Sequence, residues 1–164
     1  MIGSSNENEE VILERENLKS VARGKKIPLC EVTDEVFAKE SLGKGCAIIP
    51  EDGKVYSPVS GKINMVFPTK HAIGILSDKN AEILIHVGLD TVELKGQHFN
   101  LLVKNGDTVK EGQLLLEFDK AALEKAGYET TIPVIITNTN EYQDVSEEGP
   151  SKVDLKDKIL SLTV

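Results

Sequence analysis

The chain is divided into short runs of β-branched and other apolar residues, separated by glycine, proline, aspartate and asparagine. Eight such runs span residues 46–49, 55–57, 62–66, 72–76, 82–87, 113–118, 134–136 and 158–164. Many short strands with turn signals between them are typical of an all-β sandwich or barrel. We therefore predict an all-β fold.

Helix signals are sparse, and the best candidate is the segment 119–127. Asp119 can cap its first turn and Gly127 can end it. The sequence also repeats itself weakly, because residues 20–25 resemble residues 57–62, and residues 109–115 resemble residues 153–160. Two related halves of this kind predict a duplicated β-sandwich with short helical segments.

Residues 1–17 differ in composition from the rest of the chain. They are rich in Glu, Asn and Ser, and they lack apolar periodicity beyond Val11-Ile12-Leu13. We predict a disordered acidic linker or tail there. The remaining residues, 18–164, are expected to form a single domain, because a chain of 164 residues holds one core.

The charge and the cysteines restrict partners and compartment. A formal net charge of -8 with scattered Lys and Arg predicts no nucleic-acid partner and no direct membrane insertion, because phosphate backbones and anionic lipids repel an acidic chain. No apolar stretch approaches the ~18 residues of a transmembrane helix. Cys30 and Cys46 lack C-x-x-C spacing and fit reduced thiols in a cytoplasmic protein.

Two of the three histidines are predicted to face each other. If residues 69–76 and 81–86 form a hairpin in which Leu76 pairs with Ala81, His71 lies directly opposite His86. Opposed residues share a face with Cβ atoms about 5 Å apart, whereas a slip of one residue sends them to opposite faces. His98 has no partner in the sequence and is expected to be a partly exposed loop residue.

Facing imidazoles can bind zinc or carry a phosphoryl group. A catalytic zinc site needs three protein ligands, and here the third is missing, so zinc would bind His71 and His86 only incidentally and a zinc hydrolase is a remote alternative. In phosphoryl transfer, one imidazole nitrogen attacks the phosphorus while the other ring hydrogen-bonds to the phosphoryl oxygens. Neutral histidine is populated near pH 7 and suits this chemistry.

An apolar surround would protect the labile nitrogen–phosphorus bond from water. The candidates are Phe37, Val66, Phe67, Leu84 and Val87, each of which is also suited to an ordinary core. A swinging-arm carrier of the biotinyl or lipoyl type is a competitor, because it shares the Pro-Val-x-Gly turn before a strand. Its lysine in an Ala-Met-Lys-Met setting does not occur in this chain, and Asp-Lys-Ala occurs at residues 119–121, within the segment predicted to be helical and not at a hairpin tip.

From about Lys19 to Val164, the chain resembles the glucose-class enzyme IIA domain of the bacterial phosphoenolpyruvate-dependent sugar phosphotransferase system. The most specific parts are Pro-Thr-Lys-His-Ala-Ile-Gly at 68–74 and Ile-His-Val-Gly-Leu-Asp-Thr-Val-Glu-Leu-Lys-Gly at 85–96. Asp-Glu-Val-Phe-Ala at 34–38 and Ser-Pro-Val-Ser-Gly at 57–61 support it. Motifs of this length at these separations are specific.

The resemblance implies a role for each site residue. His86 is the phosphorylated histidine through Nε2, with Nδ1 held by the carbonyl of Gly88. His71 supports transfer, and the hydroxyl of Thr69 orients its ring. The residues implied to contact partners are Phe37, Phe67, Leu84, Val87, Asp34 and Asp90, of which the two aspartates form an acidic rim.

The function implied is that of a phosphocarrier without cofactor, nucleotide or required metal. His86 accepts the phosphoryl group from the histidine-containing phosphocarrier protein and passes it to a cysteine of enzyme IIB, for sugar uptake. The alternatives are a regulatory module that controls a transporter or enzyme by its phosphorylation state, and a structural module without histidine chemistry. The domain is expected in the cytoplasm, either free-standing or tethered to a membrane permease.

Overall fold

The computed structural model describes residues 14–164, which form fourteen strands and two short α-helices. The strands are β1 (Arg15–Lys19), β2 (Gly24–Pro28), β3 (Lys44–Pro50), β4 (Lys54–Tyr56), β5 (Gly61–Val66), β6 (Ala72–Ser77), β7 (Glu82–His86), β8 (Phe99–Leu101), β9 (Thr108–Val109), β10 (Leu114–Phe118), β11 (Ile132–Ile136), β12 (Asp144–Glu147), β13 (Lys152–Val153) and β14 (Lys158–Thr163). The helices are α1 (Glu35–Ala38) and α2 (Lys120–Lys125). Short 3-10 turns, including Thr91–Leu94 and Thr139–Glu141, lie between strands.

The strands form three antiparallel sheets. The largest has the order β13-β2-β3-β11-β7-β6-β5-β9, and the two smaller ones have the orders β1-β14-β12 and β4-β10-β8. Hairpin connections and antiparallel pairing are what short strands with frequent turn residues favour. The predicted all-β sandwich is therefore confirmed, and its sheets are not closed into a barrel.

The large sheet is covered on both faces by apolar clusters of unequal size. Successive residues of a strand point to opposite faces. In β3, Cys46 and Ile48 belong to the main core, whereas Ala47 between them belongs to a small second cluster. This second cluster contains Phe37 of α1, and the half-buried Leu84 of β7 packs against it. Only the small cluster covers that outer face, so this face has room for a functional site.

The large sheet consists of two similar halves. One half has the order β13-β2-β3-β11 and the other the order β9-β5-β6-β7, and they meet where β11 pairs with β7. The pairing repeats residue by residue, since Gly24 pairs with Val153 in the first half and Gly61 pairs with Val109 in the second. The repeat predicted between residues 20–25 and 57–62 is confirmed.

The turns that follow β9 and β13 also repeat. Gln113 accepts a hydrogen bond from the backbone N–H of Lys110 through its side chain at 3.0 Å, and Asp157 accepts one from Asp154 in the same way at 2.8 Å. The weaker repeat between residues 109–115 and 153–160 therefore corresponds to a shared turn.

The other local predictions agree with the structure at most positions. Each of the eight predicted runs contains a strand, with ends that differ by up to two residues. The predicted helix is α2, in which the Asp119 side chain accepts from the Ala122 N–H at 3.0 Å and Gly127 adopts a left-handed φ of 93°. The one-turn helix α1 was not predicted, because four residues are too few to show a helical period.

The predicted start of the domain at residue 18 is too late. Strand β1 begins at Arg15 and pairs with β14, with Arg15 opposite Thr163. Pairing with a distant strand stabilises this segment despite its polar sequence. The rest of the predicted tail, residues 1–13, lies outside the described residues.

The predicted register of the β6–β7 hairpin is wrong by one residue. Leu76 pairs with Glu82 and not with Ala81, because the loop contains residues 78–80 only. Asn80 adopts a left-handed φ of 74°, which asparagine tolerates and which closes three-residue hairpin loops, and its N–H donates to the Ser77 carbonyl at 2.9 Å.

The two cysteines are free and lie in different surroundings. Cys30 is exposed, whereas Cys46 is buried in the main core, where desolvation raises the pKa of its thiol to about 12. No helix within residues 14–164 is long and apolar enough to cross a membrane.

Candidate active site

His71 and His86 lie in contact at one end of the β6–β7 hairpin. Their ring centroids are 4.8 Å apart and the ring planes are inclined by 81°. His86 is the last residue of β7, and His71 occupies the bend before β6. The predicted pair is therefore present, as two edge-to-face imidazoles.

The rings meet although the predicted register was wrong. Ala72, and not His71, pairs with His86. His71 lies outside the strand, after Lys70, which has a left-handed φ of 64°, so the alternation of side chains within a strand does not apply to it. The His71 carbonyl accepts a hydrogen bond from the Val87 N–H at 2.7 Å, which fixes its distance from the end of β7.

The tautomer of His86 follows from its hydrogen bond. Its Nδ1 lies 2.8 Å from the carbonyl oxygen of Gly88. A carbonyl oxygen can only accept, so Nδ1 carries the proton and Nε2 of the neutral ring keeps its lone pair. This arrangement leaves the Nε2 lone pair of His86 free, which is what a nucleophilic imidazole requires.

His71 is held by the hydroxyl of Thr69. The Thr69 Oγ1 lies 2.7 Å from Nδ1 of His71. A hydroxyl can either donate or accept. If Oγ1 donates, Nε2 of neutral His71 carries the proton and can donate to an oxygen placed between the two rings.

Both histidines are biased toward the neutral form. His71 is only 3% exposed, and desolvation together with the nearby His86 lowers its pKa from 6.5 to about 4. Desolvation also lowers the pKa of His86, although the hydrogen bond to Gly88 and the charges of Asp34 and Asp90 act in the opposite direction. Neutral imidazole is the nucleophilic form, so the site is ready for attack near pH 7.

Two aromatic side chains flank the histidine pair. The ring centroids of Phe37 and His86 are 5.0 Å apart, and those of Phe67 and His71 are 5.4 Å apart. Contacts at this distance are typical of packed aromatic pairs. The predicted apolar wall is present at these two positions.

The predicted acidic rim forms part of a larger groove. Asp34 is half-buried and caps α1, where its side chain accepts from the Val36 N–H at 2.9 Å, and Asp90 is exposed. A groove of about 570 Å³ runs along them, and it is lined by Thr33, Asp34, Asp90, Glu93, Tyr128 and Glu129 among others. Hydroxyls of the groove hold two of its carboxylates, at 2.6 Å for Thr33 with Glu129 and 3.1 Å for Tyr128 with Glu93.

Two residues expected to contact partners are buried. Val87 is 0% exposed in the main core, so its side chain cannot reach a docked partner, contrary to the prediction. Phe37 is 4% exposed and serves mainly as the wall of His86. Val87 directly follows His86, so the alternation of side chains along a strand turns Val87 to the inner face when His86 faces outward, and this signal was present in the sequence.

Several exposed apolar side chains were not predicted from the sequence. Val36, Leu42, Met65 and Val92 are between 43% and 52% exposed. Val36 lies beside Phe37 on α1, and Val92 follows the acidic rim in the 3-10 turn Thr91–Leu94. The sequence signal that could have found Val36 and Val92 is their adjacency to the predicted site residues Phe37 and Asp90.

Neither His98 nor a third metal ligand joins the pair. His98 is exposed in the loop before β8, as predicted, and its carbonyl accepts from the Asp119 N–H at 2.9 Å. Among residues 14–164, no group of three or more His, Cys, Asp and Glu side chains is arranged to hold a metal ion. The donor set around His71 and His86 therefore does not fit the three protein ligands of a catalytic zinc.

The sequence and the fold both match known proteins. Residues 16–142 match the family described as phosphoenolpyruvate-dependent sugar phosphotransferase system, EIIA 1. The beta-glucoside-specific EIIBCA component of Bacillus subtilis is 48% identical over 149 residues, which cover 91% of this chain and 24% of that protein. The glucose-specific EIIA component of Oceanobacillus iheyensis is 49% identical over 122 residues, which cover 74% of each.

A solved structure agrees with the fold. The glucose permease IIA from Mycoplasma capricolum aligns with a TM-score of 0.82 and 36% identity, covering 90% of this chain and 96% of that one. The chain spans about a quarter of the length of the beta-glucoside relatives that it matches.

Proposed function

This chain belongs to the EIIA 1 family of the phosphoenolpyruvate-dependent sugar phosphotransferase system, and from that premise we propose that His86 is its phosphoryl acceptor. EIIA domains are phosphotransferase components. The observation that supports Nε2 of His86 as the acceptor atom is the hydrogen bond from His86 Nδ1 to the Gly88 carbonyl. That bond leaves Nε2 as the only nucleophilic nitrogen of the ring.

The transfer conserves atoms and charge without a cofactor. The Nε2 lone pair forms the new nitrogen–phosphorus bond, while the bond between phosphorus and the donor nitrogen breaks and returns its electron pair to the donor imidazole. The proton on His86 Nδ1 stays in place, so the phosphorylated ring carries positive charge. The Gly88 carbonyl and the charges of Asp34 and Asp90 stabilise this ring.

We propose that His71 stabilises the phosphoryl group during its transfer. Its ring is already in contact with His86, and the Thr69 hydroxyl can hold Nδ1 so that Nε2–H donates to a phosphoryl oxygen. Its pKa of about 4 keeps the ring neutral, so it stabilises the transition state by a hydrogen bond and not by a full positive charge.

The proposed donor is the histidine-containing phosphocarrier protein, and the proposed acceptor is a cysteine of EIIB. Relatives whose names join EIIA to EIIB and EIIC support the second partner and a tether to a membrane permease. The acidic groove beside His86 would attract a basic donor, and the exposed Val36 and Val92 offer apolar contact on the same segments. A cytoplasmic location is part of this proposal.

Phosphorylation can be tested with phosphoenolpyruvate, enzyme I and the phosphocarrier protein. We expect the wild type to gain one acid-labile phosphoryl group, which peptide mapping places on His86, and His86→Gln to gain none. His98→Gln is the matched control, because His98 is exposed outside the site. Wild-type protein that stays unlabelled, or label that persists in His86→Gln, would contradict the proposal.

The role of His71 is tested by onward transfer. His71→Gln keeps a neutral side chain of similar reach, so we expect acceptance from the donor to be partly retained and transfer to EIIB to be impaired. Unchanged transfer would show that the role of His71 is misassigned. The regulatory alternative is separated by the same assay, since it requires phosphorylation of His86 but no transfer to an EIIB cysteine.

A further inference from the structure

The Gly88 carbonyl, which accepts the hydrogen bond from His86, belongs to a peptide unit whose N–H is also hydrogen-bonded. The peptide between Gly88 and Leu89 is planar, so its carbonyl and its N–H point in opposite directions. The Leu89 N–H donates to the Glu129 carbonyl at 3.0 Å, and the Gly88 carbonyl on the other side accepts from His86 Nδ1. The orientation of His86 therefore depends on the conformation of the loop that follows β7.

Thr91 closes this loop from the inside. It is 0% exposed, and its Oγ1 donates to the Val87 carbonyl at 2.6 Å. Its methyl group lies under Gly88, only 2.6 Å from where a Cβ on Gly88 would be. Gly88 and Asp90 both have left-handed φ angles, of 80° and 60°, so the loop holds a conformation that asparagine or glycine adopts more readily than aspartate.

The end of β11, in the other half of the sheet, has corresponding hydrogen bonds but no histidine. After β11, the Thr137 N–H donates to the Glu82 carbonyl, just as after β7 the Gly88 N–H donates to the Thr131 carbonyl. The Thr139 hydroxyl then donates to the Ile136 carbonyl at 2.5 Å.

The spacing between the threonine and the carbonyl that its hydroxyl bonds to differs by one residue between the two loops. The Thr139 hydroxyl bonds to the carbonyl three residues before it, whereas the Thr91 hydroxyl bonds to the carbonyl four residues before it. The wider spacing occurs in the loop whose Gly88 carbonyl accepts a hydrogen bond from a histidine ring. The bond from a threonine hydroxyl to the carbonyl at the strand end is thus common to both halves of the fold, and the spacing that is one residue wider occurs beside His86.

We propose that Thr91 is a positioning residue for phosphoryl transfer: its buried hydroxyl fixes the 87–91 loop so that the Gly88 carbonyl holds His86 with Nε2 free. This inference rests on the proposed function of His86. Without the hydroxyl, the Val87 carbonyl loses this donor and the left-handed residues of the loop can relax. Partners that orient a functional histidine from behind commonly change its activity by about tenfold or more.

The test compares Thr91→Val with Thr91→Ser and Thr139→Val. Valine keeps both branches of threonine and removes the hydroxyl, whereas serine keeps the hydroxyl and removes the methyl group. Thr139→Val removes the corresponding hydroxyl in the other half, which also accepts from the Lys44 N–H at 3.0 Å, so this control includes the loss of one further hydrogen bond. One readout is the single-turnover rate of phosphorylation by excess phosphorylated donor, and the other is the long-range proton–nitrogen NMR spectrum of the His86 ring without any donor.

We expect Thr91→Val to slow phosphorylation about tenfold relative to Thr139→Val and to convert the single Nδ1–H tautomer of His86 into a mixture. Thr91→Ser should restore both. Equal rates in the two valine variants, or a slower rate with an unchanged tautomer, would overturn the inference. Partial unfolding lowers the amplitude of the single turnover and not its rate constant. The rate constant of a less stable variant can therefore still be compared with that of the wild type.

The two readouts also separate this inference from the function on which it rests. If the wild type accepts no phosphoryl group, the proposed function fails, while the tautomer still shows whether Thr91 orients His86. If the wild type is phosphorylated and the tautomer does not respond to Thr91→Val, only the role of Thr91 fails.

Discussion

The ends of β7 and β11 are built alike, yet the proposed chemistry belongs to the end of β7 alone. His86 pairs with Ala72 across β6, and at the equivalent place Ile135 pairs with Gly45 across β3. Ile135 is fully buried in the small outer cluster, whereas His86 is partly exposed beside the same cluster. Lys44 takes the place that His71 occupies in the other half.

This comparison separates the scaffold from the site. Both halves share their strand pairing, their strand order and the bond from a threonine hydroxyl, of Thr91 or Thr139, to the carbonyl at the strand end. We therefore assign these features to the fold. The half with the proposed site adds two histidines, their oriented hydrogen bonds and a threonine spacing that is one residue wider. The site therefore required few changes to a symmetric framework, and equivalent substitutions in the two halves should have unequal effects.

The largest expected difference concerns Gly88 and its counterpart Thr137. A Cβ at Gly88 would meet the Thr91 methyl group at 2.6 Å and the Glu129 carbonyl at 3.0 Å, in a backbone with φ of 80°. We expect Gly88→Ala to slow phosphorylation about 100-fold and to lower the free energy of unfolding by about 2 to 3 kcal/mol.

The matched change in the other half should have little effect. Thr137 is exposed, so Thr137→Ala should change the free energy of unfolding by about 0.5 kcal/mol or less and leave the phosphorylation rate as it is. Phosphorylation assays and urea denaturation of both variants measure the difference. Similar losses in the two variants would contradict the separation of scaffold and site.

Acid sensitivity is the next largest expected difference. Because the pKa of His71 is lowered to about 4 in the folded chain, the unfolded chain binds the proton first as the pH falls below 6.5. The stability that neutral His71 contributes is complete above pH 6.5 and is lost between pH 6.5 and 4, by about 3 kcal/mol. His71→Gln should remove this part of the pH dependence.

Urea denaturation at a series of pH values measures the effect, and His98→Gln is the control because that ring is exposed in a loop. An equal flattening of the profile by both variants would mean that the acid sensitivity does not arise at the site. The neighbouring His86 has a pKa shifted in the same direction, so some pH dependence should persist in His71→Gln.

The smallest expected effects concern the repeated turns. The side chains of Gln113 and Asp157 each accept one backbone hydrogen bond, at 3.0 and 2.8 Å. We expect Gln113→Ala and Asp157→Ala to lower the free energy of unfolding by similar amounts, about 0.5 to 1 kcal/mol. Thermal denaturation measures both, and a difference above about 1 kcal/mol would show that the two halves are not equivalent even in their scaffold.

Local sequence signals, which act within a few residues, predicted eight of the fourteen strands and one of the two α-helices; the unpredicted strands, such as β9 and β13, are mostly the shortest ones. Asp119 and Gly127 mark both ends of α2, and the strand runs stand between turn residues. Strand β1 was assigned to a polar tail because its stability comes from β14, which is distant in sequence. Tertiary pairing of this kind leaves no local pattern.

The site was only partly predicted, because its geometry also depends on strand pairing that leaves no local sequence pattern. The contact between His71 and His86 was correct, but the register depended on whether Asn80 closes a loop of three residues or four, and turn-forming residues allow both. Val87 was wrongly assigned to the surface although it directly follows His86, and alternation along a strand places these two side chains on opposite faces. Thr91 was overlooked, since a buried hydroxyl bonded to a carbonyl resembles ordinary core threonine.

The unequal surroundings of the two cysteines make this domain suitable for selective labelling. Cys46 is buried and its thiol has a pKa of about 12, so at neutral pH it should not react with alkylating reagents, whereas Cys30 is exposed. Cys30 lies in the 3-10 turn Leu29–Glu31, whose Leu29 belongs to the same small cluster as Phe37. A fluorophore on Cys30 could therefore report the arrival of each partner at the outer face, without any engineered residue.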